Sequence, residues 1–150
     1  MALTKEDVAA AVRAWCTAWH TRDLQTIMGM EARAVGFGFR PFAWRNHLGN
    51  TYTEGRDRSL EQFFGRKVSY SLVLQELQTA VEGDVGLAWG ILLEQWQDKG
   101  QLPEQARVRF SKVLTKSAHG WQVLLYHRDI QPCADDGRYP KTLTVVSSDR

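Results

Sequence analysis

The sequence predicts an α+β fold in which N-terminal helices pack on one face of a strongly curved antiparallel sheet. Two observations carry this. Val8, Val12, Trp15 and Trp19 recur at helical spacing near the start of the chain. From Val68 onward the apolar residues alternate instead, in four long stretches broken by short turns rich in glycine. Helices first and an unbroken run of strands afterwards is the order of an α+β domain, with helices segregated to one side of an antiparallel sheet.

Each element has its own signal. Thr4 is cap-like, and Glu6 and Asp7 put acids in the first turn of a helix over residues 5–21. Thr21-Arg22-Asp23 breaks it, and Asp23 can cap a short second helix from Leu24 to Gly29. Ala34 to Phe39 reads as a short strand whose glycines imply a bend or a close backbone approach. Pro41 to Gly55 has no clear period and reads as a long loop. Arg56 to Gly65 is a short third helix. Strands follow at Val68–Val81, Val85–Gln97, Arg107–Lys116 and Trp121–Asp129. Residues 1–132 form one domain, and 133–150 form an extension available to pack on that domain or on a partner.

The last two strands form a hairpin. A three-residue loop, Ala118-His119-Gly120, pairs Ser117 with Trp121, Val113 with Leu125, Ser111 with His127 and Arg109 with Asp129. One face then carries Arg109, Ser111, Val113, Trp121, Val123, Leu125, His127 and Asp129. The other carries Val108, Phe110, Lys112, Leu114, Leu124, Tyr126 and Arg128. A five-residue loop preserves these sets; a two- or four-residue loop would mix them. The first face is apolar near the turn and polar at its far end, which suits the floor of a pocket.

Composition narrows the function. With 43% hydrophobic and 24% charged residues the chain has enough apolar material for a sizeable core, and six tryptophans imply large apolar contacts. A net charge of +2 without a Lys/Arg cluster gives no basis for a nucleic-acid partner. No apolar run approaches a membrane span, and the first residues lack the pattern of a signal peptide, so a cytoplasmic location is expected. Cys16 and Cys133 form no framework.

Four local stretches carry a family resemblance over roughly residues 4–132. Ala18-Trp19-His20-Thr21-Arg22-Asp23-Leu24 is similar to an aromatic residue followed by Gly-Asp-Leu at the end of a first helix. Gly36-Phe37-Gly38-Phe39-Arg40-Pro41 is similar to Gly-Thr-Asp-Pro after a first strand, and Gly55-Arg56-Asp57 to a glycine before a third helix. Arg109-Phe110-Ser111 with His119-Gly120-Trp121-Gln122-Val123 is similar to an Arg-Phe-Thr to Gly-Gly-Trp-Arg-Ile-Val-His hairpin. In this order they resemble the nuclear-transport-factor-2-like superfamily, in its SnoaL-like and ketosteroid-isomerase-like branch. The resemblance implies a cone, with the bent sheet wrapping helix one and a pocket at the open end. It also implies a dimer, commonly through the outer sheet face. It fixes no single activity, since members include isomerases, cyclases, hydratases and non-catalytic adaptors. The chain departs from the pattern where chemistry would sit: Arg40 stands where the family has its acid, and Leu125 where it has its first histidine.

The candidate catalytic residues are His127 as acid or base, Asp129 to orient it or to pair with Arg109, and Arg109 to hold an anionic oxygen. The bland alternatives are a backbone-bonded histidine and a plain Arg109–Asp129 salt bridge. Trp15, Trp19, Trp89 and Trp121 are candidate ligand-lining residues, although such residues are more often core. Tyr52, with Trp44 and His47, is a candidate lid. Tyr70 and Glu94 can face either way. No ligand spacing for a metal and no phosphate-cradling glycine loop is visible, so neither metal nor cofactor is expected. If the Arg109 face lines the cone, Phe110, Leu114, Leu124 and Tyr126 lie outside and call for a homodimer. Two functions stay open. One is a cofactor-free enzyme moving a proton on a small apolar or polyketide-like molecule; the other is a non-catalytic ligand-binding or dimerisation module.

Overall fold

A computed structural model describes residues 2–32, 36–37, 40–41 and 60–130. Helix α1 spans Lys5–His20 and opens with a reciprocal cap: the Thr4 hydroxyl accepts the Asp7 N–H (3.1 Å) while Asp7 accepts the Thr4 N–H (3.0 Å). The chain turns at Arg22, which has a left-handed backbone (φ 59°) and donates its N–H to Trp19 O. Its guanidinium donates to Lys67 O (3.0 Å), which fixes the corner against the sheet. Asp23 caps helix α2, Leu24–Glu31, by accepting the Thr26 N–H. Residues 60–65 form helix α3.

Among the described residues six strands follow the order β2-β1-β6-β5-β4-β3. The long ones are β3 Lys67–Glu82, β4 Val85–Asp98, β5 Glu104–Ser117 and β6 Gly120–Ile130, paired antiparallel in sequence order. Two short strands, β1 Gly36–Phe37 and β2 Arg40–Pro41, extend the sheet beyond β6, with β1 running parallel to it. The expected fold class is therefore the observed one. The expected long loop and the C-terminal extension lie outside the described residues.

The hairpin turn is shorter than expected. Ser117 pairs with Gly120, so the loop is the two residues Ala118-His119, with Gly120 at φ 101°. A bulge then leaves Leu124 without a partner between the Leu114–Val123 and Val113–Leu125 pairs. That extra residue restores the expected pairing of Val113 with Leu125, Ser111 with His127 and Arg109 with Asp129, while Ser117 does not meet Trp121.

Helix α1 covers the face that carries Val108, Phe110, Lys112, Leu114 and Tyr126, all at most 3% exposed. The opposite assignment, with the Arg109 face inside the cone, is corrected. The reason is desolvation: the Arg109 face would bury Arg107, Arg109 and Ser111, whereas the covered face offers Val108, Phe110, Leu114 and, from β4, Ala88 and Leu92. Phe110, Leu114 and Tyr126 therefore belong to the core of the monomer and are not a dimer surface; Leu124 is half-buried at the bulge.

The sheet bends at a second bulge, between Leu74 and Glu76 on β3. Opposite it, a Cβ on Gly90 would lie 1.9 Å from the Glu76 carbonyl oxygen, a backbone atom that cannot rotate away. Gly90→Ala is expected to destabilise the fold by about 1–3 kcal/mol or more, as overpacking does. Urea unfolding checks this, and an unchanged midpoint would contradict the close approach.

Candidate functional site

Two polar clusters sit under α1, on the inner face of the sheet. The first begins with Trp15 and Trp19, one helical turn apart on α1's buried stripe. Both indole N–H groups donate to Glu31 Oε2, at 2.8 and 3.4 Å. Glu31, at the end of α2, is only 3% exposed. Lys112 reaches into the same interior from β5. Its Nζ lies 3.1 Å from the centre of the Trp15 ring and 3.5 Å from that of Tyr126, with no hydrogen-bond acceptor among the described residues. A cation between two aromatic faces is held by their quadrupoles. Complete burial still pushes the Lys112 pKa down, to about 7, against the pull of the Glu31 charge. Cys16, beside this cluster, is a buried free thiol that burial pushes up to about 11, which keeps it protonated and unreactive.

The second cluster is Tyr70 on β3, Glu94 on β4 and Arg128 on β6. The Tyr70 hydroxyl donates to Glu94 Oε2 (2.6 Å), and Arg128 donates to Glu94 Oε1 (3.0 Å). Glu94 is 6% exposed, and both its oxygens are engaged. Burial, then the Glu94 charge, holds the Tyr70 phenol far above its usual range, so it stays protonated. Burial works against the Arg128 charge, but Glu94 and the two nearby phenols outweigh it and raise its pKa. Trp19, Phe63 and Phe64 pack around Tyr70 with ring centres 5.3–6.3 Å away. The result is a neutral donor, a carboxylate and a guanidinium inside an aromatic wall.

The residues expected to converge in an internal cavity do not. Trp15 and Trp19 are inside, but Arg109, Ser111 and Trp89 (44% exposed) lie on the outer face, with His127 half-buried beside them. Arg109, His127 and Trp89 line an outer groove of about 430 Å³ together with Glu76 and Gln78. Asp129 is opposite Arg109 in the backbone register, and its side chain, like Tyr52, is outside the described residues. Trp121 lies at the hairpin tip and lines a separate cleft against α2. Among the described residues, no group of three or more His, Cys, Asp or Glu is placed to hold a metal ion, and no helix is long and apolar enough to cross a membrane.

Sequence reasoning left Tyr70 and Glu94 undecided and missed Glu31, Lys112 and Arg128 as site residues. A signal for Glu31 existed: two buried indoles one turn apart need an acceptor, and an acid at the end of the next helix can supply it. For Lys112 the only signal was its place among Val108, Phe110 and Leu114.

No protein-family model matches the sequence, and no curated protein matches it. Solved structures do. An NTF2-like superfamily protein from Salmonella enterica matches at TM-score 0.65 and 11% identity, over 93% of this chain and 94% of that one. A protein provisionally described as an aromatic ring hydroxylase, from Novosphingobium aromaticivorans, matches at TM-score 0.67 and 17% identity, over 85% and 91%. A provisionally described dehydratase of the NTF2-like family from Streptomyces avermitilis matches at TM-score 0.64 and 15% identity, over 83% and 93%. The chain has the NTF2-like cone fold.

The buried lysine makes a pH prediction. Its folded pKa lies below the ordinary lysine value of 10.5. Between about 7 and 10.5 the unfolded chain binds the proton that the folded chain has lost, so stability rises with pH across that window and is lowest below it. Lys112→Met is expected to flatten the slope, worth about 1.4 kcal/mol per pH unit. Urea melts of both proteins at several pH values from 7 to 10 check this, and parallel curves would contradict it.

Proposed function

We propose that the protein binds a small, largely apolar molecule inside the cone and moves a proton on it without a cofactor, with Tyr70, Glu94 and Arg128 as the working groups. The observation that carries this reading is the buried carboxylate bonded at once by a phenol and a guanidinium. A ligand hydroxyl bonded to the Tyr70 oxygen can pass its proton through the phenol to Glu94, while Arg128 limits the charge that Glu94 must carry before the transfer. The aromatic wall of Trp19, Phe63 and Phe64 suits a flat apolar substrate of polyketide-like or fused-ring type. Two of the similar structures bear dehydratase names, which is proton-transfer chemistry on the same fold.

A panel of hydroxylated fused-ring aromatics, followed by thermal shift and by turnover, tests the reading. Tyr70→Phe and Glu94→Gln are each expected to weaken binding or turnover by about tenfold or more, because each removes a hydrogen bond to a charged group. Binders that are indifferent to both substitutions would end it.

The dimerisation reading keeps one observation in its favour. The outer face exposes Val73 (46%) on β3, Trp89 (44%) on β4 and Leu125 (40%) on β6. We propose a homodimer through this face, on the opposite side of the sheet from the surface first expected. Sedimentation should give a species of about twice 17.1 kDa, and Trp89→Lys should convert it to the monomer. A monomer at micromolar concentration contradicts the proposal.

A further inference from the structure

We infer that the cleft between α2 and the β5–β6 turn is a second binding site, for a small neutral aromatic molecule carrying an N–H or O–H donor. The cleft holds about 510 Å³, within the size range of small-molecule sites. It shares no residue with the Tyr70–Glu94–Arg128 cluster, and among the described residues no Asp, Glu, Lys or Arg lines it, in a chain where such residues make up 24%. An uncharged lining selects an uncharged ligand, since an ion entering it would lose water and gain no countercharge.

Gln122 supplies the polar requirement. It lines the cleft, is 6% exposed, and donates its amide N–H to Gly29 O (3.1 Å). A carbonyl oxygen can only accept, so the amide's orientation is fixed. Its own oxygen is left buried with no donor among the described residues. The terminal amide torsion is soft, so a donor that enters beside Trp121 can reach that oxygen after a small rotation. Trp121 and Met30, both partly buried, flank the approach and offer a ring and a thioether to an aromatic body.

Gly29 leaves the room. A Cβ at this helical position would meet no atom within 4 Å, so the open space is not needed for the packing of α2. A side chain there starts in open space at the edge of the cleft and improves the helix propensity.

The test uses the full chain and two probes of nearly the same shape: indole, which has an N–H donor, and 1-methylindole, which lacks it. In a ¹H–¹⁵N NMR titration, indole should give saturable shifts of the Gln122 side-chain amide and the Trp121 indole N–H. 1-Methylindole should bind about tenfold more weakly or worse, because the buried acceptor stays unsatisfied. Gly29→Leu should abolish the indole shifts with no loss of thermal stability. Equal affinity for the two probes overturns the role of Gln122. Absence of saturable shifts at Gln122 and Trp121, or undiminished binding by the folded Gly29→Leu protein, overturns the site. Neither result bears on the inner cluster, whose test uses different residues and ligands.

Discussion

The Glu31 carboxylate organises the interior. Helix α1 brings two indoles into the core, and each has an N–H that cannot be left without an acceptor there. Glu31 accepts both, which requires α2 to fold back along α1 and so requires the left-handed corner at Arg22. A carboxylate taken out of water needs a countercharge, and Lys112 comes to the same interior from β5. Trp15 then serves twice, donating to Glu31 with its ring edge while Lys112 lies over its face. One acid thereby ties both N-terminal helices to the centre of the sheet. The polar interior is a consequence of using tryptophan on a helix that apolar residues without N–H groups could have filled more cheaply.

The elements were legible because their signals are local. Period, caps and turn residues place α1, α2 and the four long strands within a few residues of where they lie. The resemblance in four short stretches reached the fold even though sequence comparison with families and curated proteins finds nothing. Which face of the sheet α1 covers was not legible. Alternation sorts residues into two sets but does not orient them, and both sets here mix charge with apolar groups. Lys112 and Arg128 made the true inner face look polar, and Val113 and Leu125 made the outer one look like a core; Val123, assigned to the outer set, is turned into the core by the bulge and pairs with Leu114. The deciding fact is tertiary: aromatic rings from α1 and β6 shelter Lys112 and so let a lysine sit on the covered face.

That single inversion explains how the candidate site changed. Arg109, Ser111 and His127 do share a face, as the pairing required, and moved together to the outside. Tyr70 and Glu94, left undecided because each alternates with an apolar neighbour, moved inside and met Arg128 there. The two tryptophans of α1 stayed in the core, while Trp89 and Trp121 ended at two different surfaces. Residues grouped by strand register survive an error of facing together only as far as the register holds: beyond the bulge Val123, assigned to the Arg109 face, pairs with Leu114 and lies in the core.

The bulge at Leu124 separates the hairpin into two segments that need not change together. Below it, the pairs Val113–Leu125, Ser111–His127 and Arg109–Asp129 hold the side chains of β6 to their faces; above it, the tip runs in a register of its own. An insertion in the Ala118-His119 turn can be absorbed by closing the bulge, so the length of the tip can drift while Tyr126 and Arg128 keep their inward positions. Such a joint uncouples the rim beside α2 from the interior, so a change in one need not carry into the other.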